Sequence, residues 1–251
     1  MPVQQREITF CVKTFNRPNL LFRCLRSLHW ASPESQIVVV DDSTIEYQYP
    51  ADVLPHIRVI RTEPNIGVCA GRNRSIAAAE TKFCFLLDDD HGLQKRSRWR
   101  ESLEAVPDDW LNGIVAWPIN HGRRIKAGYE LIRQHTERGW KVAVSPVGSG
   151  PAELVVNNFL APVDVMRQHP WPERLMTVEH FVWAWDMLVS GNSPPIHAMP
   201  NQYAWLHMRH AETKSADYRP HRKSDAARQV EREELKARGV CRIAWVHRLS
   251  E

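Results

Sequence analysis

A short apolar strand that runs directly into three acidic residues is the feature that most constrains this chain. Residues 82–87 have the composition of a buried strand, and Asp88, Asp89 and Asp90 follow at its end. Adjacent carboxylates repel one another, so the arrangement is stable chiefly when a cation neutralises it. Side chains alternate along a strand, which puts Asp88 and Asp90 on one side and Asp89 on the other. The pattern favours a divalent-metal site, with a solvated acidic turn as the alternative.

Strand and helix patterns alternate through the first part of the chain. The predicted strands are residues 7–13, 36–40, 57–60 and 82–87, and the predicted helices open at residues 16–19 and span 67–80. This order predicts an α/β fold of the doubly wound type, with a mainly parallel sheet and helices on both faces. Ligands of such sheets bind beyond the carboxyl ends of the strands. We therefore expect Lys13, the Asp41–Asp42 pair and the acid triplet to line one cleft at this edge of the sheet, which we call the mouth.

Charge and apolar runs exclude several classes of protein. The 251 residues include 33 basic and 29 acidic side chains, a formal net charge of +4. This small excess does not predict a nucleic-acid partner, although it suits an anionic substrate. No apolar run approaches the ~20 residues of a membrane span, and the first residues do not form a signal peptide. The five cysteines lack metal-binding or disulfide spacing, which is typical of buried free thiols in a reducing compartment.

Several short motifs occur in an order that resembles a known family. They are residues 13–18, 38–43, 65–67, 70–73 and 86–90, followed downstream by 157–161 and 179–181. The series is similar to that of GT-A-type inverting glycosyltransferases, most of all the β1,4-N-acetylgalactosaminyltransferase domains of the ganglioside-synthase kind. The resemblance covers residues 7 to 210.

The resemblance implies a domain plan. One GT-A domain is expected over residues 1–215, with a nucleotide-binding half at 1–92 and an acceptor-binding half at 93–215. The mixed charges of the last segment, residues 216–251, predict a C-terminal helical extension.

The same resemblance implies a metal centre that uses Mn²⁺ or Mg²⁺ and a UDP-sugar donor. Asp90 is the expected direct ligand, and Asp88 is expected close to the donor ribose and sugar. Carboxylate oxygens suit either ion and leave coordination positions open for phosphate. His207 is our choice for a third ligand from late in the chain, with His210 and His197 as alternatives.

Nucleotide and sugar contacts are predicted around the first strand ends. The family pattern favours Asp41 as acceptor from a uracil N–H, whereas a turn cap formed by Asp42 and Ser43 is the ordinary alternative. The helix that starts near Gly67 offers free N–H groups to phosphate or sugar oxygens. The remaining residues assigned to the nucleotide-sugar are Lys13, Arg17, Asn65, Arg72, Asp88 and Asp89.

Inversion at the anomeric carbon needs one base that takes the proton of the acceptor hydroxyl. The resemblance indicates Glu179, at the start of a helical stretch, although a first-turn glutamate also complements the helix dipole. Asp186, seven residues further on, is the second candidate. His180 stands where the relatives usually have an aromatic residue.

Acceptor recognition is assigned to two kinds of side chain. Asn157 and Asn158 are expected to donate amide hydrogen bonds, and Trp117 and Trp183 to stack on a sugar face. Core packing is the alternative for each tryptophan.

The expected function is metal-dependent transfer, with inversion, of a hexose or N-acetylhexosamine from a UDP-sugar to a glycan or glycolipid hydroxyl. A donor of the GalNAc type is favoured. A metal-dependent nucleotidyltransferase is one alternative, although no Gly-rich loop follows the first strand, and a non-catalytic carbohydrate-binding protein on the same fold is another. We expect a bacterial cytoplasmic enzyme, with peripheral membrane contact left open and no nucleic-acid partner.

Overall fold

The structure, a computed structural model, describes residues 2–93, 96–120, 125–126, 128–176, 178–208 and 224–245. Within these ranges the helices are α1 (Pro18–Ala31), α2 (Val68–Ala77), α3 (Arg96–Glu104), α4 (Val163–Gln168), α5 (Glu179–Val189) and α6 (Asp225–Ala237). The strands there are β1 (Ile8–Thr14), β2 (Gln36–Asp41), β3 (Arg58–Arg61), β4 (Phe83–Asp88), β5 (His91–Gly92), β6 (Ile114–Ala116), β7 (Ile119–Asn120), β8 (Ile125–Lys126), β9 (Gly128–Thr136), β10 (Gly139–Val147), β11 (Gly150–Pro151), β12 (Leu154–Val155), β13 (Phe159–Pro162), β14 (Ile196–Ala198), β15 (Trp205–His207) and β16 (Val240–Trp245).

A central sheet with the strand order β11-β14-β6-β13-β4-β1-β2-β3 positions the site. β4, β1, β2 and β3 run parallel, and β6 and β14 are parallel to each other. β13 is antiparallel to both β4 and β6, and β11 is antiparallel to β14. The mainly parallel sheet predicted from the sequence is confirmed. The four strands predicted in the first part of the chain all lie within one residue of their observed bounds.

Side chains that alternate along β1 and β4 enter two separate cores. Phe10 and Phe85 belong to the core that α1 and α3 cover, whereas Cys11 and Leu86 belong to the core under α2, α4 and α5. The predicted apolar stripe of α1 is fully buried in the first of these cores. Helices therefore cover both faces of the sheet, as expected for a doubly wound α/β fold.

Phe85 lies at the centre of an aromatic cluster. Its ring centroid is 4.8 to 5.5 Å from those of four other rings: Phe10, Trp99, Trp117 and Trp205. We expect Phe85→Ala to lower the free energy of unfolding by about 3–5 kcal/mol, because rigid rings close only part of the cavity. Urea titration followed by far-UV circular dichroism measures this change. Trp30→Ala, whose ring is 54% exposed, is the control; an equal loss there would contradict the assignment of Phe85 to the core.

The C-terminal segment contains the predicted helix and also a strand. α6 confirms the helix for the described residues, and residues 216–223 lie outside them. β16 then pairs in parallel with β10, at the edge of a second sheet with the order β12-β9-β10-β16. The expectation of a purely helical extension was therefore wrong, because β10 offers an unpaired edge that the sequence does not reveal. The domain boundary at residue 215 stays a prediction.

No helix among the described residues is long and apolar enough to cross a membrane. The cytoplasmic location expected from the sequence stays a prediction.

Candidate active site

The carboxyl ends of β1, β2 and β4 meet at one edge of the central sheet. In the strand register Lys13 of β1 is the partner of Val40 in β2 and of Asp88 in β4, so the residues that follow these strands lie at one level. The structure therefore brings together Lys13, the Asp41–Asp42 pair and the acid triplet.

The acid triplet divides between two sides of the strand end. Asp88, Asp90 and His91 each offer a ligand atom, and these atoms all lie within 4.8 Å of one another. Asp89 points elsewhere: it accepts a hydrogen bond of 2.7 Å from the Thr14 hydroxyl and forms an ion pair with Arg17. This is the arrangement that strand alternation predicts.

Two histidines flank Asp90, and only one of them was predicted. His91 and His207 are register partners in the short β5–β15 pair, and Nε2 of His207 lies 3.5 Å from Oδ2 of Asp90. The missed residue, His91, directly follows the acid triplet, and that adjacency was the available signal. His197 lies in β14, three strands from β4, with its ring stacked on Trp110 at 4.3 Å. His210 lies outside the described residues.

Carboxylates outnumber cations in the ion pairs of this mouth. Among the described residues these pairs join five carboxylates to three cations: Asp42, Asp88, Asp89, Asp90 and Glu179 to Lys13, Arg17 and Arg72. With all five carboxylates ionised, one divalent cation would balance the excess of two negative charges. Burial, together with the charges of Asp90 and Asp88, raises the pKa of Asp89 to about 7 despite the opposing charge of Arg17.

The donor atoms at the strand end fit Mn²⁺ or Mg²⁺. Two carboxylates and one imidazole form a mixed oxygen and nitrogen set, which Mn²⁺ accepts readily. Burial lowers the pKa of His91 even though Asp90 opposes it, and this favours the neutral imidazole that metal ligation requires. Partial burial of Asp88, whose side chain is 37% exposed, opposes its ionisation, but the charge of Arg72 holds its pKa below the ordinary value. Both groups are therefore in their metal-binding forms near neutral pH.

Lys13 crosses the start of α2 to reach Asp42, with Nζ 2.8 Å from Oδ1. Gly71 makes this path available, because a Cβ at that position would lie 2.4 Å from Cγ of Lys13. The other oxygen of Asp42 accepts from the Gly67 N–H at 3.2 Å, and its backbone carbonyl accepts from Asn65 at 2.8 Å. Asp42 thus fixes the loop before α2, and Lys13 stands at the N-terminal end of that helix.

Asp41 is buried and already has several partners. It accepts hydrogen bonds from Arg61 at 2.7 Å, from the Tyr49 hydroxyl at 3.1 Å and from the Ser43 N–H at 2.9 Å. Asp41, Tyr49 and Arg61, together with Tyr47, are among the residues that line an open cavity of about 530 Å³. A nucleobase in this cavity would contact Asp41 beside the guanidinium of Arg61.

Glu179 and the metal cluster lie on opposite sides of one guanidinium. Nη1 of Arg72 is 3.5 Å from Oε1 of Glu179, and Nη2 is 3.5 Å from Oδ1 of Asp88. Arg72 is also held over the ring of Trp171, 4.6 Å from its centroid. The predicted base therefore begins α5 within reach of the predicted donor site, although 107 residues separate it from Arg72.

The four residues assigned to the acceptor differ in whether they lie near the candidate metal ligands. Asn157 is buried and lies beside Asp88, whose pKa it helps to lower. Asn158 is buried at the start of β13, where its amide donates to the backbone carbonyl of Trp117 at 3.4 Å. The rings of Trp117 and Trp183 are 0% and 2% exposed and pack against other aromatic rings, so neither offers a face to a sugar. The site described here therefore includes Asn157 and excludes the two tryptophans.

Comparison with known families decides where the chain belongs. The description "Glycosyl transferase family 2" matches residues 9–145, more than half of the chain. This chain is a member of glycosyl transferase family 2. The matched range includes the acid triplet and Arg72, whereas Glu179 lies beyond it.

Curated relatives of this family 2 chain include two animal proteins. "Beta-1,4 N-acetylgalactosaminyltransferase 1" of Rattus norvegicus is 28% identical over 196 residues, which cover 73% of this chain and 36% of the rat protein. "Beta-1,4 N-acetylgalactosaminyltransferase 2" of Mus musculus is 26% identical over 205 residues, 75% of this chain and 38% of its own. The chain thus spans little more than a third of the length of these relatives.

Solved structures of similar fold include S. aureus TarS. The crystal structure of TarS 1–349 in complex with UDP-GlcNAc superposes with a TM-score of 0.61 and 15% identity, covering 92% of this chain and 66% of that one. The structure with UDP gives a TM-score of 0.56 at 16% identity, covering 92% of this chain and 72% of the other. This likeness establishes the GT-A fold of the family 2 chain.

Proposed function

We propose that this chain is an inverting glycosyltransferase that moves an N-acetylhexosamine from a UDP-sugar to a glycan or glycolipid hydroxyl with a divalent metal ion. The observation that carries the proposal is the single guanidinium between Glu179 and Asp88, 3.5 Å from each. A base and a metal-binding carboxylate that contact one guanidinium belong to the same site, where the acceptor hydroxyl and the donor diphosphate would have to meet.

On the donor side, Asp88, Asp90 and His91 would hold the ion, with His207 next to Asp90. When bound there, a divalent cation neutralises the diphosphate and stabilises UDP as a leaving group. Arg17 stands at the same mouth, paired with Asp90, whose negative charge the ion would offset, and Lys13 stands there paired with Asp42.

On the acceptor side, Glu179 takes the proton of the attacking hydroxyl. The acceptor oxygen then forms its bond to the anomeric carbon from the face opposite the diphosphate, and the bond from that carbon to the phosphate oxygen breaks. UDP leaves with the bonding electrons, and the single displacement inverts the anomeric configuration. Arg72 stabilises the Glu179 carboxylate by its charge before the proton arrives.

The comparisons support an N-acetylhexosamine donor. The two animal relatives are named as N-acetylgalactosaminyltransferases, and TarS was crystallised with UDP-GlcNAc. We favour the GalNAc donor because the sequence relatives share more identity with this chain than TarS does. The cavity beside Asp41 is the proposed position of the uracil ring.

We expect UDP with Mn²⁺ to raise the melting temperature of the protein, and GDP or CMP with Mn²⁺ to raise it much less. Saturation at a hundredfold Kd corresponds to about 2.7 kcal/mol of stabilisation. Differential scanning fluorimetry with each nucleotide, with and without Mn²⁺, measures this, and EDTA should reverse the shift. Release of UDP from UDP-GalNAc and UDP-GlcNAc, with a panel of p-nitrophenyl glycosides as acceptors, then ranks the donors.

Each alternative function has a distinct outcome in these assays. A nucleotidyltransferase would release pyrophosphate from a nucleoside triphosphate and not UDP from a UDP-sugar. A non-catalytic carbohydrate-binding protein would show no metal-dependent shift with UDP and no UDP release. Either result would overturn the proposal.

A further inference from the structure

The proposed base is enclosed, and this raises the question of where its proton goes. The side chain of Glu179 is 4% exposed and sits at the first position of α5, against Arg72. Each transfer reaction releases one proton, and a base that has taken it must be deprotonated again before the next turnover. A route from Oε1 of Glu179 to solvent is therefore part of the catalytic cycle.

Two basic side chains contact Oε1 of Glu179, and they differ in what they can accept. Arg72, at 3.5 Å, presents a guanidinium, which donates hydrogen bonds and has no acceptor atom. Nε2 of His180 lies 3.7 Å from the same oxygen, and its side chain is 15% exposed. An imidazole can accept a proton near neutral pH and pass it to water. Distances of this size commonly close to hydrogen-bond length in the substrate complex.

The ring of His180 is held in place by its surroundings. It packs edge-to-face on Trp171, with centroids 5.1 Å apart at 90°. Asn73 fixes the backbone of Trp171 from both sides, accepting from its N–H at 2.9 Å and donating to its carbonyl at 3.0 Å. The packing of His180 on Trp171 is therefore held in place by hydrogen bonds from Asn73 in α2.

The backbone before Glu179 is strained. Val178 has φ 53° and ψ 12°, the left-handed conformation that a β-branched residue rarely adopts. Strain of this kind persists where surrounding structure enforces it, and it occurs most often at functional sites. Here it directly precedes α5, whose first two residues are Glu179 and His180.

We propose that His180 is a positioning residue that acts through Glu179 by receiving the acceptor's proton from it and passing it to solvent. The inference rests on the proposed function. In the step, the acceptor O–H proton moves to Oε1 of Glu179 as the glycosidic bond forms. That proton then moves to Nε2 of His180 and from there to water, which restores the Glu179 carboxylate and the neutral imidazole. Among the described residues, the charged groups near this pair include Arg72 from α2 and, beyond it, Asp88 from β4.

We expect His180→Phe to lower kcat about tenfold, less than the ~10²–10⁴-fold effect of losing the base itself. Phenylalanine preserves the ring packing on Trp171 but accepts no proton. The pH profile of kcat, measured as UDP release from the better of UDP-GalNAc and UDP-GlcNAc with Mn²⁺, should lose one ionisation on its acidic limb. The KM for the donor should not change, because the substitution removes a contact to Glu179, on the acceptor side of the site.

Two further variants separate a proton route from a packing role. His197→Phe is the matched control, since that histidine also stacks on a tryptophan but lies three strands from β4. It should leave both the rate and the pH profile unchanged. His180→Ala should be restored in part by added imidazole, which a packing role would not produce.

The outcomes distinguish this inference from the function on which it rests. If the wild-type protein releases no UDP from either donor, the proposed function fails. If the wild type is active but His180→Phe keeps its rate and pH profile, or His180→Ala is insensitive to imidazole, the proton route through His180 is wrong while the transferase proposal stands.

Discussion

Glu179→Gln is expected to lower kcat for glycosyl transfer by about 10²–10⁴-fold while UDP binding in the presence of Mn²⁺ stays unchanged. Glutamine has the shape of glutamate, and its carbonyl oxygen can still accept from Arg72, so the site keeps its geometry. It cannot take a proton at working pH, so the acceptor hydroxyl must attack without a base. UDP release with an acceptor measures the first effect, and calorimetric titration with UDP measures the second.

Asp186→Asn is the matched control for this experiment. Asp186 is also a carboxylate of α5, seven residues or about 10 Å further along the helix. Its two oxygens are occupied by Arg238 at 2.6 and 2.7 Å, on the side where α6 ends. We expect this variant to keep full transfer activity and to lose at most about 1 kcal/mol of stability. Inactive Asp186→Asn together with active Glu179→Gln would transfer the base assignment to Asp186.

The sequence predicted the strands and the mouth because both follow from local rules. Apolar segments bounded by turn residues located β1, β2 and β4 within one residue, and parallel pairing then required Lys13 and Asp88 to meet. The division of the acid triplet followed from the twofold period of a strand. These features need no knowledge of which distant segments pack together.

The missing parts of the site depend on pairings between distant segments. His91 comes beside His207 only because β5 pairs with β15, and two strands of two and three residues carry too little pattern to predict that contact. In the same way, β16 was missed because its partner β10 lies almost a hundred residues earlier. Long-range register is the information that a single sequence lacks.

Sequence reasoning also does not predict which of several nearby carboxylates a lysine or arginine pairs with. Lys13 and Arg17 were assigned to the donor, but the folded chain pairs them with Asp42 and with Asp89 and Asp90. The pattern of residue types identifies charged groups that share a mouth. Which oppositely charged group is nearest depends on side-chain geometry at the scale of one ångström.

Asp90→Ala is expected to abolish both Mn²⁺-dependent binding of UDP and transfer activity. The carboxylate of Asp90 has three basic neighbours in the site. Its oxygens lie 3.7 Å from Nε2 of His91, 3.5 Å from Nε2 of His207 and 3.1 Å from Nη1 of Arg17. A bound metal supplies several kcal/mol of charge stabilisation, so the rate should fall by at least about 10²–10³-fold. Fluorimetry with UDP and Mn²⁺ and the UDP-release assay measure the two effects.

Loss of the metal site can be told apart from loss of the fold. Removing one of several crowded carboxylates relieves repulsion, so metal-free Asp90→Ala should melt close to the wild-type temperature. Asp52→Ala, an exposed acid paired with Arg26, is the control and should keep the Mn²⁺-dependent shift. An unchanged UDP shift in Asp90→Ala would show that the acid triplet does not hold the ion.

Two histidine variants identify which residue is the third ligand of the metal ion. His91 shares a 4.8 Å cluster with both acids, whereas Nε2 of His207 lies 3.5 Å from Oδ2 of Asp90. We therefore expect His91→Gln to weaken Mn²⁺-dependent UDP binding more than His207→Gln does. The reverse order would mean that the β5–β15 pair presents His207 to the ion and that His91 orients Asp90, so the same two variants assign the ligand in either case.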